Sequence, residues 1–169
     1  DWRSRPTPER LAVTEGAVIF ALGEALTVTV TPGSRQRWLF SPPKLHLFVP
    51  PAIEARVVLE KALRDKARLT FAERLAHYAL QLGVPAPPLR LSAARTRWGS
   101  CSQYGGISLN WRLILMSLPV VDYVVAHELA HLKEMNHSPR FWSVVEQLCP
   151  DWRERRLELR QLARQIPQI

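Results

Sequence analysis

The sequence predicts an α+β fold, and three observations carry that prediction. Short runs rich in Val, Thr, Leu and Phe crowd the first fifty residues and read as strands. From residue 52 onward apolar side chains recur at three- and four-residue steps, interrupted by one further strand-like stretch over 89–111. Helical segments then close the chain. Strands first, helices last, with one strand group between helices, is the order of an α+β domain.

The elements follow in order. The stretch "AVIFALGEALTVTVTPGSRQRWLFSPPKLHLFV" has breaks at Gly23-Glu24, Pro32-Gly33 and Pro42-Pro43, which suits an antiparallel meander. Pro50-Pro51 ends it. Ile53, Val57, Phe71, Leu75 and Leu82 lie at helical spacing, and Gly83 followed by Pro85 stops the run. One helix over 52–83, or two with a break near Leu69-Thr70, fits the pattern equally. Over 89–111 strands return, with a turn at Gly105-Gly106 and an alternation Ile107, Leu109, Trp111. Helices are expected at about 119–133, 139–148 and 152–165.

At 169 residues the chain suits a single compact domain, with 1–50 as its strand-rich N-terminal part and 51–169 as its core. An apolar share of 47% and a charged share of 22% exclude the disordered class. No run reaches the length of a membrane span, because Gly23 and Glu24 break the most apolar one. No secretory leader is legible. Cys101 and Cys149 have no Cys-x-x-Cys spacing; free thiols in a reducing compartment are expected, and hence a cytoplasmic protein.

The formal net charge is +8, but most arginines alternate with acids, as on solvated helix faces. The exception is 90–112, which carries Arg90, Arg95, Arg97 and Arg112 without an acid, interleaved with Trp98, Tyr104 and Trp111. Such a surface favours anionic partners, nucleic acid among them. Ordinary strand residues facing solvent are the plainer alternative.

Three of the five histidines fall within "HELAHLKEMNH". On a helix His127 and His131 stand one turn apart on the same face, about 6 Å along the axis. Two imidazoles so placed can bind one zinc ion at about 2.0–2.1 Å. Glu128, about 100° around the helix, is displaced from the ligand face and suited to accept a proton beside the ion. Continuous helix would carry His137 about 15 Å from His127, so the chain must turn back. Ser138 as N-cap and Pro139 at the first helical position supply a new helix start, and Asn136 tolerates the left-handed conformation that ends the previous one. From this composition a His-Glu-x-x-His arises by chance in roughly one chain in a hundred, which disfavours a metal-free pair of core or surface histidines.

Three neutral imidazoles leave a zinc ion its double charge and an open fourth position for water, as catalytic sites require. The ion acidifies water and polarises a carbonyl, while Glu128 takes the proton as general base and returns it to the leaving amine.

With those residues in hand, the chain resembles the YgjP-like metallopeptidase family, the WGSC-motif relatives of SprT-type zincins. The resemblance rests on "RTRWGSCS" (95–102), "ISLNWRLI" (107–114), "DYVVAHELAHL" (122–132) and "NHSPRFW" (136–142). It implies a zincin-like α+β core, with a central helix and sheet layer, an active-site helix and C-terminal helices. It further implies one Zn2+ ion on His127, His131 and His137, with Glu128 as base. Glu134 stands where metzincins have glycine, so that assignment is not supported. The gluzincin pattern would nominate Glu146 or Glu154 as third ligand, although both suit solvated helix faces. In zincin-type folds an edge strand pairs with extended substrate. The resemblance therefore places Arg97, Trp98, Ser100 and Asn110 in a substrate cleft; alternatively Trp98 packs in the core while Gly99 and Ser100 form a bulge or turn. Tyr123, one turn before His127, can support a ligand, assist an oxyanion or simply be buried. Phe141 and Trp142 are expected to clamp the second helix, and His46 and His77 to be ordinary.

Peptide or protein is the leading substrate class. A nucleotide phosphoanhydride is the second, since the same ion can assist attack at phosphorus and arginines can neutralise the developing charge. A nucleic-acid-associated SprT-like protease is the third.

Overall fold

The computed structural model describes residues 10–169. Four N-terminal strands, β1 (Val18–Ala21), β2 (Glu24–Pro32), β3 (Arg37–Ser41) and β4 (Lys44–Val49), precede a long helix α1 (Ala55–Leu82). A second set, β5 (Leu89–Ser92), β6 (Gly99–Cys101) and β7 (Ile107–Asn110), leads through a 3-10 helix at Trp111–Leu115 into α2 (Leu118–Ala130), α3 (Pro139–Leu148) and α4 (Trp152–Leu162). The order is the α+β one expected from sequence, with N-terminal strands, a middle strand group and C-terminal helices. Residues 1–9 of the expected strand-rich part lie outside the described residues.

The first sheet is not a plain meander. Its order is β1-β2-β4-β3, with β4 parallel to β2 and β3 folded to the outer edge. Burial explains the departure. Leu45 and Leu47 of β4 are fully buried, whereas β3 offers only the half-buried Trp38 and Phe40, so the more apolar strand takes the inner place. The β1–β2 hairpin turns on Leu22 and Gly23, both at positive φ (53° and 81°), the two-residue geometry that matches strand twist. Leu22 accepts that conformation because its amide bonds Ile114 O at 2.9 Å, tying this sheet to the 3-10 helix.

One uninterrupted helix spans 55–82, which settles the question at Leu69-Thr70. Val58, Leu59, Ala62, Leu63, Ala67, Phe71, Leu75, Tyr78 and Ala79 form a single buried stripe. Gly83, at φ 76°, closes it: its amide reaches Leu80 O and the Val84 amide reaches Ala79 O. A two-pronged pair, Arg74 Nε to Asp122 Oδ1 at 2.7 Å and Nη2 to Oδ2 at 2.8 Å, joins α1 to α2.

In the second sheet, β7 lies between β5, which it pairs in parallel, and the antiparallel edge strand β6. Trp111 is buried, as its alternation with Ile107 and Leu109 requires, but begins the 3-10 helix instead of continuing the strand. Helix α2 is buried on nearly every side, with Val120, Val121, Val124, Val125, Leu129 and Ala130 in the core. It ends at Ala130 rather than 133, and α4 ends at Leu162 rather than 165. No helix among the described residues is long and apolar enough to cross a membrane.

Candidate metal centre

Helix α2 presents His127 and His131 from successive turns, and the link to α3 brings His137 back to them. One ligand nitrogen from each of the three lies within 4.8 Å of the others, and no other cluster of His, Cys, Asp or Glu among the described residues is so disposed. The turn is made without a left-handed residue, so Asn136 does not play the expected part. His131 caps the helix at φ −64°, and the Lys133 and Glu134 amides both bond Ala130 O at 3.0 Å, tightening the last turn. The Ser138 side chain then accepts the Phe141 amide at 3.4 Å and starts α3, with Pro139 in the first turn.

Phe141 does more than clamp a helix. Fully buried, it stacks on His131 (4.5 Å, 29°) and meets the rings of His127 and His137 at 5.0 and 4.8 Å. Trp142 stacks on His137 at 6.2 Å and is itself backed by Trp152 at 4.3 Å. The three imidazoles are thus held against an aromatic wall supplied by α3 and α4. Tyr123 is buried and packs edge-on to His127 at 6.0 Å, and burial keeps its phenol protonated.

The donor set fits a borderline-soft divalent ion. Burial, then the nearby His131 and His137, push His127 down to about 4, and burial pushes His131 down as well, so both rings are neutral with free lone pairs near neutral pH. His131 Nδ1 faces Glu134 O at 3.3 Å, which fixes a tautomer with Nε2 available. His127 Nδ1 is buried without a hydrogen-bond partner among the described residues. Donors on one zinc can lie no more than about 4.2 Å apart, so the widest spacing must close by less than about an ångström, within the reach of side-chain rotation. Glu146 and Glu154 stand apart on exposed faces, near Arg153 and Arg155 respectively.

Glu128 is 6% exposed, and its Oε1 lies 4.0 Å from His127 Nε2. Burial pushes its carboxyl up to about 7, against the opposing pull of Arg97. Strand β6 explains the burial. A Cβ built on Gly99 would meet Glu128 Cγ at 2.9 Å and both Cδ and Oε1 at 3.2 Å, so the strand's backbone lies directly on the carboxylate-bearing chain. Gly99 and Ser100 pair in register with Leu109 and Ser108; they form neither bulge nor turn. A lone glycine in a strand pattern signals close backbone approach, and "WGSC" carried that signal without naming the partner.

Of the other cleft candidates, Trp98 is half-buried and Arg97 exposed. Asn110 is 3% exposed and is spent on backbone: Nδ2 donates to Ala94 O (2.7 Å) and Arg97 O (3.3 Å), while Oδ1 accepts the Arg112 amide (3.0 Å). It shapes the 93–98 loop from beneath. Cys101 is half-buried, Cys149 buried, and both are free thiols. His46 bonds Thr29 and His77 faces Gln81, both away from the cluster.

The crystal structure of the metallopeptidase zymogen abylysin from Pyrococcus abyssi matches with 29% identity and a TM-score of 0.49, over 59% of this chain and 99% of that one. The zymogen jannalysin from Methanocaldococcus jannaschii matches with 17% identity and a TM-score of 0.49, over 54% of this chain and 95% of that one. A comparison with curated proteins returns no match. The family model described as "YgjP-like, metallopeptidase domain" matches residues 1–162, and the chain belongs to that family.

Proposed function

We propose that the protein is a zinc-dependent endopeptidase in which His127, His131 and His137 hold one Zn2+ ion and Glu128 is the general base. The convergence of three imidazole nitrogens within 4.8 Å, beside a buried carboxyl, carries this reading. When bound, the ion supplies Lewis-acid polarisation of a substrate carbonyl and makes water more acidic. The chain's own residues do the rest. Burial alone holds this carboxyl near 7, and a bound dication would draw it down toward the carboxylate form that accepts a proton. Its Oε1 accepts the proton of the attacking water and returns it to the departing amine nitrogen. Gly99 fixes where that oxygen lies, and Phe141 with Trp142 fixes the imidazoles.

The outer edge of β6 suits an extended peptide, with Ser100 on the strand and Trp98 and Arg97 at its entrance. The contact of Tyr123 with His127 favours ligand support as its role. The strand-rich 1–50 and the remaining 51–169 act as one domain, which the bond between Leu22 and Ile114 supports. Two unpaired thiols suit the cytoplasm. The test is zinc analysis of the purified chain followed by cleavage of casein and a quenched peptide library, beside Glu128→Gln. One zinc per chain in both, with cleavage by wild type alone, is expected; cleavage by both would remove Glu128 from its role.

A further inference from the structure

Three of the four arginines that stood out in sequence, Arg95, Arg97 and Arg112, converge on one cavity with Arg10, whereas Arg90 does not line it. Arg10, Arg95, Arg97 and Arg112 line a space of about 640 Å³, whose wall includes Trp98 and the C-terminal segment at Ile166–Ile169. Five arginines elsewhere meet acids, Arg56 with Glu54, Arg64 with Glu60, Arg74 with Asp122, Arg153 with Glu146 and Arg155 with three carboxylates, while others such as Arg37, Arg68 and Arg140 stand singly on the surface rather than gathered at a cavity. None of the four cavity arginines has such a partner among the described residues. Burial holds the Arg112 guanidinium below its ordinary value; Glu60 is the strongest charge acting on it and opposes that shift, while Arg64 and Arg95 add to it. Glu60 thus partly balances Arg112, while Arg95 and Arg97 are exposed and form no ion pair among the described residues.

The cavity is also built rather than incidental. Asn110, buried beneath it, grips the carbonyls of Ala94 and Arg97, and the Ser92 hydroxyl accepts the Ala94 amide at 3.0 Å. Arg112 lies over Trp111 at 5.0 Å and reaches Ala93 O at 3.4 Å, which sets the direction of its guanidinium. A loop backbone fixed in this way confines the ordering cost on binding to the exposed Arg95 and Arg97 side chains. Its place matters equally. Trp98 of the wall precedes Gly99, the residue against Glu128, and Arg97 is close enough for its charge to act on that carboxyl. The Trp98 edge of the cavity is thus next in the chain to the residue packed on Glu128.

We infer that this cavity is a specificity subsite for a carboxylate of the peptide substrate. Guanidinium forks match carboxylates in two-pronged geometry, and the volume lies within the range of small-group pockets. The carboxylate can come from an acidic side chain near the scissile bond or from the substrate's own C-terminus. The inference rests on the peptidase reading, so its test has an arm that does not require cleavage.

Zinc-loaded, full-length protein is given matched quenched peptides differing only in Glu against Gln at each position flanking the cut, with free or amidated C-termini. The carboxylate form is expected to be cleaved with about tenfold higher kcat/KM, the scale of a charge-assisted hydrogen bond. The position that responds identifies side chain or terminus. Arg95→Gln and Arg97→Gln, both at exposed positions, should cut that ratio below about threefold. In parallel, binding of the same peptides to zinc-loaded Glu128→Gln is followed by anisotropy, where the carboxylate preference should appear and vanish with Arg95→Gln. Equal handling of both peptide forms in both arms, or a preference untouched by the arginine variants, would overturn the subsite. Absence of cleavage with the binding preference intact would instead count against the peptidase reading alone.

Discussion

Gly99→Ala is the sharpest perturbation the structure offers, because a single methyl group would fall on the proposed base. Carbon atoms in contact normally stand about 3.5–4.0 Å apart. The added Cβ would meet Glu128 Cγ at 2.9 Å and Oε1 at 3.2 Å, a shortfall of about 0.6–1 Å at Cγ. Glu128 is 6% exposed and walled by core, so the side chain has to swing rather than retreat into solvent. Displacing a reacting group by an ångström costs on the order of a hundredfold in rate. Overpacking of this size costs about 1–3 kcal/mol in stability. The expected variant is therefore folded, carries one zinc per chain, melts at a lower temperature and shows kcat reduced about a hundredfold with KM little changed. Gly106→Ala is the control, since its Cβ would make only an ordinary 3.6 Å contact with Ser102 Oγ. Peptide turnover, zinc content by plasma mass spectrometry and a thermal melt decide it. A folded Gly99→Ala enzyme with wild-type kcat would refute the positioning of Glu128 by β6.

Glu128→Gln should keep zinc and lose hydrolysis by about 10²–10⁴-fold, whereas His131→Ala should lose the zinc itself, as metal analysis will show. Asn110→Ala leaves the Ala94 and Arg97 carbonyls without their buried donor and should lower unfolding free energy in urea by about 1–3 kcal/mol. At alkaline pH the sign follows from raised acids: burial holds the Cys149 thiol and the Tyr78 phenol each at about 12 in the folded chain, above their ordinary 9.0 and 10.0. The unfolded chain releases those protons first, so stability is intact below about pH 9 and declines toward 12. Thermal melts should follow that window, and Cys149→Ala should flatten its lower part.

Much of the site was legible because helical geometry is rigid. A His-Glu-x-x-His spacing fixes two rings on one face, and Ser138-Pro139 marks where the chain restarts, which is enough to return His137 to the pair. The strand order of the first sheet was not legible, because apolar alternation says which face of a strand is buried but not which neighbour it takes; the choice fell to Leu45 and Leu47. Helix ends at Ala130 and Leu162 depend on tertiary contacts rather than propensity. The contact of Gly99 with Glu128 joins positions 29 residues apart, and the wedge of Phe141 among three imidazoles joins two helices; neither leaves a local pattern. Asn110 had the opposite fate: suited by its polarity to a cleft, it is buried and committed to backbone.

X-ray absorption at the zinc edge on the loaded, full-length protein tests the central assignment most directly. Three imidazole nitrogens at about 2.0–2.1 Å, with the signal lost in His131→Ala, is the result expected from the convergence of 127, 131 and 137. A scatterer at about 2.3 Å, the distance of thiolate sulfur, or failure to retain one zinc per chain would contradict it.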